Sequence, residues 1–492
     1  MGSFPDDAHK PGIDARNAGT RAKPNGTGTN KCTGSDTAPA MIGRDLTSLP
    51  TGMLGRQVFI LALPMLGEQF LNFMVSMVDT SLAGTISKEA TAAVGTASYV
   101  GWFITLAFQL VGVGASALVA RMYGARDIGT ANRGLNQAMV MALLIGAAVT
   151  VVVLFAATPF SSVLLRTTEA STMCSTYLRI DAWSYTAASL SFVGLAIVRA
   201  AGDTRSPMWI MVAVNVLNIV ISMWLLFGLG WGVVGIAIGT VVARVAGGVL
   251  TLVVLWRGLR GLRLEWRLLR PDFPIIGRIV RVGLPSAGEA SIMFLTQLIF
   301  IFIVTMTATG ADSTVNYAAH LIAIRAEGIT YLPAIAWMTA AATLVGQYLG
   351  ANQPERAARA AHLAALQAGL LTTAAGIAFF VFAEPFYAFM SNDPQVRAVG
   401  VPAFRIMAFF QPLLGMGIVY VGSLRGAGDT RAALIVTTIT ALLVRVPLAY
   451  LFGVVLHGGL IGAWIGMWCD NVLRCLLMAG RFVQGGWKKI EV

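Results

Sequence analysis

Residues 198–209 read VRAAGDTRSPMW, and residues 424–435 read LRGAGDTRAALI. The second stretch repeats the first 226 positions later (198 to 424), and the displacement holds far beyond the motif. LVARMYGARD from Leu118 aligns with LVGQYLGANQ from Leu344, pairing Gly124 with Gly350, and LRIDAW from Leu178 aligns with FRIMAF from Phe404. Towards the front of each half, ALPMLGE (62–68) mirrors GLPSAGE (283–289), each with a Glu four residues after a Pro. Near each end, GVVGIAIG (232–239) mirrors GLIGAWIG (459–466). The chain is a duplicated unit.

Of its 492 residues, 56% are apolar or aromatic and 12% are charged, where soluble domains carry roughly 25% charged residues. That balance excludes an ordinary soluble domain and a disordered chain, and leaves a protein dissolved in lipid. From Val58 onward there are twelve apolar stretches, near 58–84, 90–119, 134–158, 171–198, 207–228, 232–256, 275–308, 314–346, 360–383, 396–422, 432–453 and 459–480. Each is long enough to cross ~30 Å of hydrocarbon as a helix, and barrel strands of ~10 alternating residues do not match them. The expected fold is an all-α membrane protein of twelve transmembrane helices in two six-helix lobes, 58–256 and 275–480. Six is even, so both copies enter the membrane in the same direction, and a pseudo-two-fold axis along the membrane normal relates them across a shared cavity. Residues 257–274 form a basic cytoplasmic linker and 481–492 a short cytoplasmic tail. Residues 1–57, rich in Gly, Thr, Asn, Asp and Pro without apolar periodicity, read as a disordered cytoplasmic tail.

The net charge of +12 is explained by position. Arg121, Arg126 and Arg133, then Arg199 and Arg205, then the run Arg257, Arg260, Arg263, Arg267 and Arg270, then Arg356 and Arg359, Arg425 and Arg431, and finally Arg481, Lys488 and Lys489 all fall in the tails and even-numbered loops. The odd loops offer little beyond Lys88 and Arg166. This is the positive-inside pattern of a multi-pass inner (plasma) membrane protein with both termini in the cytoplasm. It accounts for the charge without nucleic acid, and makes membrane lipids the partner of the Arg257–Arg270 run. The four cysteines form no CxxC pair and read as small apolar residues.

An ionisable group at mid-bilayer costs roughly 2.5–3.5 kcal/mol on insertion scales, so each needs a partner, water or a purpose. On the first span Glu68, Asn72, Ser76 and Asp79 are spaced 4, 4 and 3 apart and share one helical face. Asn215, Asn218 and Ser222 form a second polar face on the fifth span, and Thr240 and Arg244 lie one turn apart on the sixth. Oxygens of Asp79, Asn218, Ser222 and Thr240 are candidates to hold a hard cation such as sodium, and Asp79 alone is a candidate proton carrier. The second half differs. Glu289 and Gln297 share a face of the seventh span; Asn316, His320, Glu327 and Tyr331 line the eighth, with Arg325 and Glu327 as an expected internal ion pair. Counting from the Pro anchors, Asp79 has Phe300 as its repeat partner, so only one copy carries that acid.

VDTSLAG (78–84), LVARMYGARD (118–127), RAAGDTR (199–205), AAHLIAIR (318–325), LVGQYLGA (344–351) and LRGAGDTR (424–431) resemble motifs of the multidrug and toxic compound extrusion (MATE) family, in order and over all twelve spans. The resemblance implies a two-lobed antiporter that exports cationic or amphipathic organic compounds, drugs and toxins, in exchange for protons or sodium. It also implies the branch whose coupling acid lies on the first helix, a place that Asp79 fills. Asn218 and Thr240 match its accompanying ligands, whereas Ser222 stands where that branch often has an Asp. The missing charge favours a proton at Asp79 over a sodium ion held by Asp79, Asn218 and Thr240. Another branch places acids on the seventh and tenth helices. Met293 and Leu414 occupy the corresponding positions here, and Glu289 is offset by one turn.

No Lys follows a Gly, so GxxxxGK[ST] is absent, as are HExxH and GxSxG. An ion gradient therefore remains as the energy source, with no cofactor, no structural metal and no enzymatic centre expected, and a monomer as the working unit. The substrate cavity is expected to draw on Glu68, Asn72, Ser76, Asn215, Glu289, Gln297, Asn316, His320, Glu327 and Tyr331. The rival reading is a lipid or lipid-linked oligosaccharide flippase of the same broad superfamily, with a strongly cationic cavity drawing on Arg179, Arg244, Arg325, Arg405 and Arg445. A membrane-embedded enzyme or a channel is a remote third.

Overall fold

The computed structural model describes residues 51–165, 167–308 and 311–490. The tail expected over 1–57 lies, to residue 50, outside the described residues. A short 3₁₀ turn, Thr51–Met53, leads into helix from Leu54, four residues before the expected start. The spans are α1 (Leu54–Gly84), α2 (Lys88–Gly124), α3 (Ile128–Leu164), α4 (Thr168–Ala182 with Tyr185–Ala200), α5 (Arg205–Gly228), α6 (Gly232–Arg257), α7 (Phe273–Met306), α8 (Asp312–Gly350), α9 (Pro354–Val381), α10 (Pro394–Ala427), α11 (Thr430–Val455) and α12 (Gly459–Gln484). Eleven are single helices long and apolar enough to cross a membrane, and α4 completes the twelve as a broken pair bent by 56°. Among the described residues there is no strand.

Local chemistry sets the ends. Ser87 and Asp127 cap α2 and α3, their side chains accepting the backbone N–H of Ala90 at 3.0 Å and of Thr130 at 2.9 Å. Gly428 and Gly485 close α10 and α12 at φ of 88° and 74°, a left-handed conformation costly for a residue with a Cβ. Apolar side chains that point away from the bundle, such as Phe155 and Val163, are bare, as lipid-facing residues must be.

The duplication is legible in the packing. At the end that carries the basic loops, a Cβ on Gly124 would lie 2.0 Å from the Gln347 carbonyl oxygen, and a Cβ on Gly350 would lie 1.9 Å from the Arg121 carbonyl oxygen. The repeat pairs Gly124 with Gly350 and Arg121 with Gln347, so these two contacts are one contact seen twice across the axis. Just inside, Gly114 meets the Ile279 backbone and Gly283 meets the Leu110 backbone, again with no room for a Cβ. Their repeat counterparts, Val58 against Ala340 and Ala62 against Ala336, are wholly buried where α1 meets α8. Small residues let the lobes approach backbone to backbone, and the seam is sealed at this end.

The α4 bend has no twin. Trp183 and Ser184 interrupt the helix, and the Ser184 hydroxyl donates to the Asp181 carbonyl at 2.7 Å, a back-bond of the kind that bends helices. Its repeat counterpart, α10, runs unbroken through Met407, the partner of Asp181.

Candidate functional site

The bend points Asp181 and Ser184 into the N-terminal lobe. There the Arg244 guanidinium donates to Asp181 Oδ1 at 2.7 Å and to the Ser184 hydroxyl at 3.2 Å, while the Tyr185 hydroxyl donates to Asp181 Oδ2 at 2.9 Å. Asp181 is therefore fully engaged, as a buried carboxylate must be. It lies on the wall of a cavity of about 310 Å³ built by α1, α2, α4, α5 and α6. Asn72, Ser76 and Asp79 of α1, Tyr177 of α4, Asn215 and Asn218 of α5, and Thr240 and Arg244 of α6 share that wall.

Asn218 Nδ2 donates to the Thr240 hydroxyl at 3.2 Å, and that hydroxyl donates in turn to the Ile236 carbonyl at 3.1 Å. Among the described residues, three polar atoms on the wall are buried without a protein partner: Asp79 Oδ1, Asn218 Oδ1 and Asn215 Nδ2. Arg244 balances Asp181, so the cavity holds one uncompensated carboxylate, Asp79. An oxygen donor set of this kind can take up a proton or a small cation.

Among the described residues the second lobe pairs all its buried acids but one, Glu327. Glu289 accepts from Arg425 at 3.0 Å and from the Thr437 hydroxyl at 3.2 Å, and Arg445 donates to Asp470 at 2.8 Å, with Arg474 as a further partner of Asp470. Glu289, Met293, Tyr331, Leu414, Arg425 and Arg474 line a smaller cavity of about 150 Å³. In the first lobe Arg199 donates to both oxygens of Glu68, at 2.8 and 3.1 Å. The pairs Glu68–Arg199 and Glu289–Arg425 are repeat counterparts, and both arginines face a third cavity of about 300 Å³ between the lobes.

The MatE family model matches residues 64–224 and again 290–451, once in each lobe and over more than half of the chain. The chain belongs to the MatE family. Over 435 residues it is 31% identical to the "Probable multidrug resistance protein NorM" of Thermotoga maritima, covering 86% of this chain and 91% of the relative. The "Uncharacterized transporter YisQ" of Bacillus subtilis is 24% identical over 424 residues, covering 85% and 92%. Among solved structures, MATE in complex with MaL6 superposes with a TM-score of 0.82 at 25% identity over 89% of this chain and 98% of that one. The outward-facing conformation of a multidrug resistance MATE family transporter of the MOP superfamily also gives 0.82 at 25% identity, over 91% and 100%. MatE proteins are membrane transporters and not enzymes, so this chain is a multi-pass membrane transporter with the two-lobed MATE fold.

Within this MatE chain the residues singled out from sequence separate into groups. Asp79, Asn72, Ser76, Asn215, Asn218 and Thr240 share the N-lobe cavity. Ser222 is fully buried against Gly239, outside that lining. Glu68 is locked to Arg199. Of the second-lobe set, Glu289 and Tyr331 line the C-lobe cavity, whereas Gln297, Asn316, His320 and Glu327 line none of the three. Asn316 donates to the Thr307 hydroxyl at 2.9 Å, and His320 packs its ring between Phe300 and Trp464, at 5.6 and 5.7 Å. The expected Arg325–Glu327 pair does not form: Glu327 is buried and Arg325 exposed, because residues two apart on a helix point to opposite sides. Sequence reasoning passed over Asp181, although the acid stands in LRIDAW where the second copy has Met407; that loss of repeat symmetry was the available signal.

Proposed function

We propose that this MatE protein is a secondary active antiporter that exports cationic or amphipathic organic compounds, drugs and toxins, in exchange for protons or sodium by alternating access of the lobes 58–256 and 275–480. The multidrug names of its relatives, which include PmpM of Pseudomonas aeruginosa at 28% identity over 393 residues, support the substrate class. The observation that carries the coupling is the charge balance of the N-lobe cavity: Arg244 neutralises Asp181, and Asp79 keeps an oxygen with no partner among the described residues. Binding a cation there removes one negative charge from the wall shared with Asn72, Asn218 and Thr240, and so lowers affinity for a cationic cargo. A ligand acts on the lobes only through a difference in affinity between their two arrangements, and this charge supplies it.

A proton fits better than sodium, because Ser222 lies behind Gly239 and leaves the site short of oxygen ligands. The protein acts as a monomer in the inner membrane with both termini in the cytoplasm. A flippase for lipid-linked pyrophosphates calls for a strongly cationic cavity. Arg199 and Arg425 do face the central cavity, but Glu68 and Glu289 neutralise both. The test is efflux of a cationic dye from proteoliposomes under an imposed pH or sodium gradient. Asp79→Asn is expected to abolish gradient-driven efflux; full transport by that variant overturns the assignment.

A further inference from the structure

The segment between α6 and α7 is not a slack connection. Three buried side chains of α3 hold it along its length. The Arg263 N–H donates to Asn132 Oδ1 at 2.8 Å, and Asn136 Nδ2 donates to the Arg263 carbonyl at 3.0 Å. The Glu265 N–H donates to Asn136 Oδ1 at 2.8 Å, and Gln137 Nε2 donates to the carbonyls of Leu268 and Arg270, both at 2.7 Å. Its two acids are engaged: Glu265 accepts from Asn132 Nδ2 at 3.2 Å, and Asp272 caps α7. Arg257, Arg263, Arg267 and Arg270 remain at the surface.

Against this ordered plate, Val249, Leu252, Val253 and Trp256 of α6 together with Leu264 and Trp266 enclose an apolar notch of about 270 Å³. Trp266 is 81% exposed and lies in the chain between Arg263 and Arg267, and Arg263 Nε donates to the Trp256 carbonyl at 3.2 Å, which brings that arginine to the rim of the notch. Water leaves the notch unsatisfied, and a small soluble anion leaves it empty. An occupant that suits both parts has a long apolar tail and an anionic head, the combination that interfacial Trp and Arg meet in a bilayer.

We propose that the notch binds one anionic phospholipid of the cytoplasmic leaflet, with an acyl chain laid along Val249–Trp256 and the phosphate among the arginines. The proposal rests on the reading that the basic loops face the cytoplasm, and is independent of the antiport reading. Native mass spectrometry of the purified full-length chain, titrated with dioleoyl phosphatidylglycerol or dioleoyl phosphatidylcholine, tests it. The wild type is expected to retain one phosphatidylglycerol in clear preference to phosphatidylcholine, and to bind no inorganic phosphate. Arg267→Gln with Arg270→Gln is expected to weaken retention of the anionic lipid roughly 30-fold, the loss for two arginines near an anionic surface. Val249→Trp, which fills the notch from an exposed position, is expected to displace the lipid with every arginine in place. Equal retention of the two lipids, or retention unchanged in both variants at unchanged melting temperature, overturns the proposal. Labelling of Arg267→Cys by an impermeant maleimide from outside intact cells overturns the orientation, a failure distinct from loss of lipid selectivity.

Discussion

Replacing Arg199 by methionine removes the only side chain among the described residues that hydrogen-bonds the Glu68 carboxylate. The pair is almost out of water, with side-chain exposures of 13% for Arg199 and 9% for Glu68. Stranding one member of such a pair costs about 3–5 kcal/mol, and this residual exposure puts the case at about 3 kcal/mol. Unfolding a chain of this length carries an entropy of about 1.0 kcal/mol/K, so the melting temperature should drop by about 3 °C. Glu68→Gln with Arg199→Met removes both charges and should recover to within about 1 °C of the wild type, since a buried pair replaced as a whole is close to neutral. The same cycle on Glu289 and Arg425 should give a smaller single-variant loss, because the Thr437 hydroxyl still donates to Glu289 at 3.2 Å and retains about 1 kcal/mol. Tryptophan fluorescence during thermal unfolding in detergent reads all four variants. A double variant that melts below the single one would refute the view that these pairs are locks inside each lobe.

The sealed seam makes a sharper demand. Gly124→Leu places a branched side chain where even a Cβ meets the Gln347 carbonyl at 2.0 Å, so the lobes must part there; a cysteine at Thr343 should become more reactive to a soluble maleimide and dye efflux should fall at least tenfold, and unchanged reactivity would disprove the close approach. Gln137→Ala removes three hydrogen bonds to the α6–α7 segment, a loss of about 1–3 kcal/mol in local opening. Hydrogen exchange over 263–272 should speed up by at least fivefold while α3 itself stays protected.

Much of the fold was written locally. Twelve hydrophobic stretches and the echo of VRAAGDTR in LRGAGDTR depend only on neighbouring residues, so they could be read directly. The four-residue spacing on α1 likewise put Asn72, Ser76 and Asp79 on one face, and they share one wall. The ion pairs were not legible, because Glu68 and Arg199 stand 131 positions apart and Asp181 and Arg244 stand 63 apart. Composition cannot tell which arginine reaches which acid across that span. His320 shows the converse: a polar residue on a striped face, it packs between two aromatic rings in place of lining a cavity. The α4 elbow also escaped notice, since no proline or glycine marks it and a serine back-bond makes it.

The grip of α3 on the α6–α7 segment has a mechanical corollary. With Leu268, Arg270 and Asp272 bonded to Gln137, the foot of α7 travels with the first half of the molecule. The free length of tether shrinks to a residue or two, a reach of well under 10 Å. Any swing of the second half must then pivot at that foot, beside Ile279 and Gly114. Were the proposed alternating access to part the lobes, the opening would be lopsided, with the α2–α7 side as the fulcrum and the α1–α8 side carrying the long stroke of the lever.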